Sequence, residues 1–281
     1  MSEAKQGIFD MPMSEYLALP ALSSGRCHTI LSQSPMHAKM ESDDANSEMD
    51  LGTYAHAMLL EGGHDGLVVI DADDWRTKAA KEARDAARAE GKTPILARKI
   101  AEVERMVKFA KEYVEQSEIA GIFESGKPEQ VIIWHDGDTL CKARPDWLSD
   151  KYLLHFKTTK SSVEPRAFSR TAVNCGYDLA MMFYLRGLEA VQPDNQVQHF
   201  ILAQEQAEPF ACKLFDLSAP LRDVAMVKVG RAIRAWESCT KSGRWPAYSG
   251  EVHSIEITPW ALAQSEEDML TEKELEGGIP G

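Results

Sequence analysis

Four side chains in the middle of this chain could carry out metal-assisted hydrolysis of a phosphodiester. Asp146 ends one expected strand, in Arg144-Pro145-Asp146. His155 and Lys157 stand on the next, in His155-Phe156-Lys157-Thr158-Thr159, and Glu129 opens an earlier one. Cutting a phosphodiester needs an activated water and positive charge against the negative charge that develops; one or two Mg²⁺ ions supply both. Mg²⁺ takes hard oxygen ligands, chiefly carboxylates and water. Adjacent strands of a meander can aim such ligands at one spot. Positions 155 and 157 alternate onto the same side of a strand. Lys157 would then stand beside the ion, where it can orient water or offset phosphate charge. His56 adds an imidazole on a helix whose other face is apolar, and neutral imidazole also binds divalent metals.

Singly, each residue has a plain reading. Pro-Asp is commonly a turn, a strand-end lysine is commonly solvated, and a lone helical histidine is commonly structural. The order of the set gives it weight. An acid at a strand end, a hairpin, and a lysine on the next strand is the layout of a PD-(D/E)XK nuclease core. One position departs from it: the residue two before the lysine should be Asp or Glu, and here it is His155.

The elements around these residues follow from period and punctuation. A helix is expected from Ser23 or Ser24 to Leu31, stopping before Ser34-Pro35, and another from Glu48 to Glu61, ended by Gly62-Gly63. Residues 67–70 read as a strand. Residues 75–90 and 97–115 read as helices separated by Gly91-Lys92-Thr93-Pro94. Strands are expected over 129–134, 140–145 and 152–157, with a turn at 135–138. A helix over 165–191, strands at 198–203 and 210–215, and a long helix over 219–240 complete the pattern. With no internal repeat or linker, the expected organisation is a flexible N-terminus (1–15), one domain (16–262) and an acidic, disordered tail (263–281).

Composition narrows the class. Of 281 residues, 44% are hydrophobic and 27% charged, as in globular domains. No apolar run is long enough to span a bilayer. The five cysteines are scattered without a CxxC pair, which suggests neither zinc site nor disulfide framework and fits a reducing cytoplasm. A net charge of −13 argues against a protein that coats DNA. It leaves room for an enzyme whose cations are confined to one groove. Lys160, Arg166 and Arg170 follow the core and could touch phosphates without reading sequence; solvated surface charge is the alternative. Trp134, Trp147, Trp236 and Trp245 read as core or interface residues.

Several segments together resemble a known family. They are Gly52-Thr53-x-x-His56-x-x-x-Leu60-Glu61, the stretch from Trp75 to Arg84, Arg144-Pro145-Asp146, Lys157-Thr158-Thr159 and Trp245-Pro246-x-Tyr248, preceded by a Tyr16–Pro35 region. The chain resembles the RecE-like exonuclease VIII family over residues 15–262. Those are phage or prophage PD-(D/E)XK exonucleases, related more distantly to lambda exonuclease and the RecB nuclease domain. The resemblance implies an α/β fold with a restriction-endonuclease-like core, a central mixed sheet flanked by helices. It implies a Mg²⁺-dependent exodeoxyribonuclease, with Mn²⁺ as a further metal, that degrades linear duplex DNA 5′ to 3′. The 3′ single strands left behind would pass to a RecT-like annealing partner in phage-type recombination. A homo-oligomeric ring and a cytoplasmic location in a bacterial host go with this reading. It assigns metal binding to His56, Glu129, Asp146 and position 155, and catalysis to Lys157, Asp146, Glu129 and Tyr184.

Two positions break the family pattern. His155 replaces an acid, and a Gln-x-x-x-Tyr motif is reduced to Ala180 and Tyr184. Losing a carboxylate removes charge from the ion's cage, and imidazole suits Mn²⁺ or Zn²⁺ better than Mg²⁺. Three outcomes stay open: an active enzyme with altered metal preference, a weakened nuclease fold that binds DNA ends or a protein partner, or a slipped alignment in which Gln196, Gln198 or Glu205 supplies a missing group.

Overall fold

A computed structural model describes residues 5–41, 51–61, 67–90 and 92–277. In chain order the elements are β1 (Gly7–Phe9), α1 (Met13–Ala18), α2 (Ser24–Ser32), α3 (Pro35–Met40), α4 (Leu51–Leu60), β2 (Leu67–Ile70), α5 (Lys78–Ala89), β3 (Thr93–Leu96) and α6 (Ala97–Glu115). There follow β4 (Lys127–Pro128), β5 (Val131–Asp136), β6 (Thr139–Ala143), β7 (Trp147–Leu148), β8 (Tyr152–Thr159), α7 (Pro165–Asn174), α8 (Tyr177–Val191), β9 (Gln198–Glu205), β10 (Cys212–Phe215), α9 (Ala219–Ser242) and α10 (Pro259–Gly277). The expected helix start at Glu48 and its Gly62-Gly63 stop lie outside the described residues. Ser23, Ser34 and Thr77 cap α2, α3 and α5, each side chain accepting a backbone N–H three residues on.

The fold is α/β with a mixed sheet. Five strands run in the order β10-β9-β8-β7-β4; β8 and β9 are parallel and the other pairs antiparallel. A parallel pair needs a crossover, and α7 with α8 supplies it. Both faces of the sheet are covered. Leu153, Ile201 and Ala203 pack with α8 and α9, while Leu154, Phe156 and Leu202 pack with α4 and α6. This two-sided burial is why β8 reads as a nearly continuous apolar run, with His155 and, at its end, Thr159 as buried polar members.

The expected single helix over 165–191 is two helices. Gly176 divides them with φ of 71°, in the left-handed region. A Cβ there would lie 2.4 Å from the His28 ring. Close approach also explains Gly187 in α8: a Cβ would stand 2.6 Å from Trp134 on β5.

The expected meander is broken where it matters. β5 and β6 belong with β1 to a separate three-stranded sheet, and β4 and β7 to the five-stranded one. Yet Ile132 faces Ala143 and Pro128 faces Trp147, so one register runs through both sheets. At the break, Glu129 N–H donates to Asp146 O (3.2 Å). Glu129 therefore does not open a strand. It occupies a turn with φ of 54°, a strained value for a non-glycine residue.

From residue 5 on, the N-terminal stretch is tied down rather than loose. Ile8 on β1 pairs with Ile132. Lys142 is fully buried, and its Nζ donates to the carbonyls of Tyr16 (2.8 Å), Leu17 (3.3 Å) and Leu19 (2.9 Å) at the end of α1. A buried ammonium is costly unless so satisfied. The tail expected to be disordered is helical from Pro259 to Gly277, in keeping with its Ala, Leu, Gln and Glu content. By contacts the chain divides into two units, Met1–Ala247 and Tyr248–Gly281. No helix among the described residues is long and apolar enough to cross a membrane.

Candidate metal centre

The break between the two sheets sets Glu129 opposite Asp146, and β8 passes close enough for Phe156 N–H to donate to Asp146 Oδ2 (2.7 Å). α4, packed on β8 from the other layer, delivers His56. Its Nε2 is 3.3 Å from Asp146 Oδ1 and 3.4 Å from Glu129 Oε1. One donor atom from each of His56, Glu129 and Asp146 falls within 4.8 Å of the others. Two carboxylates and an imidazole converging on one point fit a divalent cation. The nitrogen donor favours Mn²⁺-like ions relative to an all-oxygen site.

Two supporting residues carry no assignment from sequence. Arg144 pairs closely with Glu129 Oε2, leaving Oε1 turned toward His56. The guanidinium is itself held by Met11 O (3.2 Å) and lies over the Tyr16 ring. Glu61 places Oε1 3.6 Å from His56 Nδ1, on the ring nitrogen away from the carboxylate pair. Such outer contacts orient a ligand imidazole. Both residues lie inside the segments that carry the family resemblance. Arg144 is also two before Asp146, a spacing that could have flagged it.

Lys157 Nζ is 3.5 Å from Asp146 Oδ2. With Gly52, Thr53, His56, Phe156 and Thr158 it lines a cavity of about 310 Å³ that is open to solvent. His155 departs from its expected place. It is only 4% exposed, its Nδ1 is 3.0 Å from Asp146 Oδ2 without hydrogen-bond alignment, and it lies outside the His56–Glu129–Asp146 group. The reason is the α8 side of the sheet, where the ring packs edge-on against Tyr184 (5.4 Å) and Tyr177 (6.3 Å). Tyr184 is likewise buried, and burial pushes its hydroxyl far up. It props His155 rather than exchanging protons at neutral pH. Lys160, Arg166 and Arg170 are exposed; Lys160 borders a second cavity, and the two arginines lie on α7, outside the metal group.

Charge follows from packing. Burial works against an ionised Asp146, but the Lys157 charge and the hydrogen bond to His56 outweigh it and hold the carboxyl well below the usual range. For His155 burial wins over the attraction of Asp146, so its pKa falls and the ring is neutral at neutral pH. Lys157 and His56 are thus the cations that keep Asp146 ionised. Burial likewise pulls His56 down, but hydrogen bonds to Asp146 and Glu61 and the nearby Glu129 raise it to about 10. Without metal an imidazolium fills the place of the cation. Its stabilisation is complete below the ordinary histidine pKa near 6.5 and fades as pH rises through about 10. To ligate, His56 must lose that proton. Metal binding at pH 7–8 should therefore release about one proton, and affinity should rise about tenfold per pH unit. Titration calorimetry in buffers of different ionisation enthalpy measures this; a buffer-independent heat would remove His56 from the ligand set.

A protein-family model described as "PDDEXK-like domain of unknown function (DUF3799)" matches residues 28–258. Among solved structures, the chain is similar to a protein from Eubacterium rectale named "Putative exonuclease", with 10% sequence identity and a TM-score of 0.51. The match covers 90% of this chain and 98% of that one. At this identity the likeness is one of fold. No curated protein matches the chain.

Proposed function

Because the chain belongs to the family of PDDEXK-like domains DUF3799, we propose that it is a divalent-metal-dependent exodeoxyribonuclease acting on linear double-stranded DNA. The observation that supports this reading most directly is Asp146. One of its oxygens faces His56 beside Glu129 and the other faces Lys157. A divalent ion held by His56, Glu129 and Asp146 supplies positive charge to the phosphate and acidity to a water molecule. Arg144 fixes the Glu129 carboxylate, and Glu61 holds the far side of the His56 ring. Lys157 brings its ammonium to the open cavity, where it donates to a phosphate oxygen or orients the attacking water. Asp146 keeps that ammonium in place.

Finer parts of the proposal rest on the sequence segments that resemble RecE-like enzymes: 5′ to 3′ polarity, 3′ single strands as product, a RecT-like annealing partner, a ring of subunits and a role in recombination in a bacterial cytoplasm. Mg²⁺ is the proposed physiological ion, with Mn²⁺ active in its place. The test is digestion of linear duplex beside a covalently closed circle, in Mg²⁺ and in Mn²⁺. Linear DNA should shorten from its 5′ ends while the circle persists, and Lys157→Ala should slow this about 10²-fold. Intact linear duplex in both metals would rule out the enzyme.

A second reading is favoured by one observation, the buried neutral His155 where the pattern has an acid. With Ala180 replacing the motif glutamine, it describes a weakened nuclease fold that holds DNA ends or a protein partner. Such a protein would retain linear duplex in a binding assay without cutting it.

A further inference from the structure

A second cavity, of about 430 Å³, lies next to the metal group and has no part in the cleavage chemistry above. Arg98 and Lys99 from the first turn of α6, Lys160 after β8, Trp75, Tyr54 and Gln206 line it. The two cavities are lined by neighbouring residues of the same segments. The first turn of α4 gives Gly52 and Thr53 to the metal-side cavity and Leu51 and Tyr54 to this one. Thr158 borders the first, and Gln206, which donates to Thr158 Oγ1 (2.9 Å), borders the second.

Its chemistry is unlike that of the chain as a whole. The protein carries a net charge of −13, yet three cations converge here. Lys99 is paired with Glu102 (2.6 Å), which also lines the wall. Arg98 and Lys160 are exposed, and neither is in an ion pair among the described residues. Two cations in the first turn of a helix oppose its dipole, and a bound anion reverses that penalty. The half-buried indole of Trp75 adds a flat apolar surface beside them. Cations for a backbone and an aromatic face for a base are the parts of a single-strand site. Duplex DNA offers the cations its phosphates but keeps its bases stacked, so the indole would have no partner there.

We propose that this cavity binds the unpaired continuation of a DNA strand whose phosphodiester lies at the metal group, with Arg98 and Lys160 on its phosphates and Trp75 stacked on a base. The placement rests on the nuclease reading, but the binding does not require cleavage. The experiment uses fluorescence anisotropy of a labelled oligodeoxythymidylate of about 12 nucleotides, a usual single-strand site size, and a blunt duplex for comparison, both in Ca²⁺ in place of Mg²⁺. The full chain should bind the oligonucleotide. Arg98→Ala with Lys160→Ala should weaken it at least about tenfold and flatten its salt dependence. Trp75→Leu should weaken it about tenfold and Trp75→Phe should restore most of the loss. Blunt-duplex binding should change much less. Both cations are at the surface, so unchanged circular dichroism and Tm of the double variant separate contact loss from misfolding. No binding by the wild-type chain, unchanged binding by the variants, or equal losses for duplex and single strand would each overturn the proposal. Digestion of linear duplex by the wild-type chain reports on the nuclease reading separately, so the two can fail independently.

Discussion

Asp146→Asn is expected to eliminate metal binding and to lower DNA cleavage by about 10³-fold or more. The carboxamide oxygen can still accept the Phe156 N–H, so the β7–β8 junction is kept. What is lost is the charge that His56 and Lys157 share. Only His56 and Glu129 then remain as donors, too few for a stable divalent site. The carboxylate is almost completely buried, so its removal leaves cations without a counter-charge at about 3 kcal/mol in stability. The pH dependence has a definite sign. The folded pKa of Asp146 is depressed, so its contribution is present above the ordinary carboxylate pKa and is lost only as pH falls through the lower folded value. The stability deficit of the variant should therefore be flat around neutrality and shrink in strong acid. Thermal melts with and without Mn²⁺ provide the readout. The wild-type chain should gain about 2.7 kcal/mol at a hundredfold excess over Kd, and the variant nothing. A variant that keeps the full metal-induced shift would show that the ion binds elsewhere.

His155→Asp should produce opposite effects in the absence and presence of metal. In EDTA a second buried carboxylate beside Asp146 is a like-charge pair, and the variant should lose roughly 3 kcal/mol at pH 8. Lowering the pH should restore part of that, because the new group's pKa is raised and protonation removes the repulsion. With Mg²⁺ the extra oxygen donor should be stabilising. The metal-induced shift should exceed that of the wild-type chain, preference should move from Mn²⁺ toward Mg²⁺, and Mg²⁺-supported cleavage should rise. Aspartate is also smaller than histidine, leaving space under Tyr177 and Tyr184. His155→Asn carries the same volume change without the charge and isolates it. Equal stability of the Asp and Asn variants in EDTA, with no gain from Mg²⁺, would show that position 155 cannot reach the ion.

Much of the site was legible as local pattern. The apolar run Tyr152–Phe156, the turn before it and the Arg144-Pro145-Asp146 end gave strands in the right order. The i, i+2 spacing of His155 and Lys157 gave them one face. Their fates still diverge. Lys157 has a long flexible stem near the strand's end and reaches both Asp146 and solvent, while His155 sits deeper, where α8 closes over it. Glu129 had the right neighbourhood and the wrong element, because the turn that aims it comes from the switch between two sheets that share one register. Gly176 was hidden inside an apparently continuous helical period, since its requirement comes from His28. Arg144 and Glu61 were in view as letters of a motif, but their tasks are contacts to residues distant in the chain.

The sequence by itself determined most of the strands and helices around the site, the order of the acidic and basic groups, and the α/β class with its PD-(D/E)XK layout. Those follow from hydrophobic period, caps and turn residues, which act over a few neighbouring positions. Only the tertiary structure decided that His56 meets Glu129 and Asp146, that His155 is buried and neutral beside them, and that Arg98, Lys160 and Trp75 border one cavity. Packing α4 and α6 on one face of the sheet and α8 on the other brings those groups together. Burial then sets their charges, and neither effect is encoded in the spacing of residues along the chain.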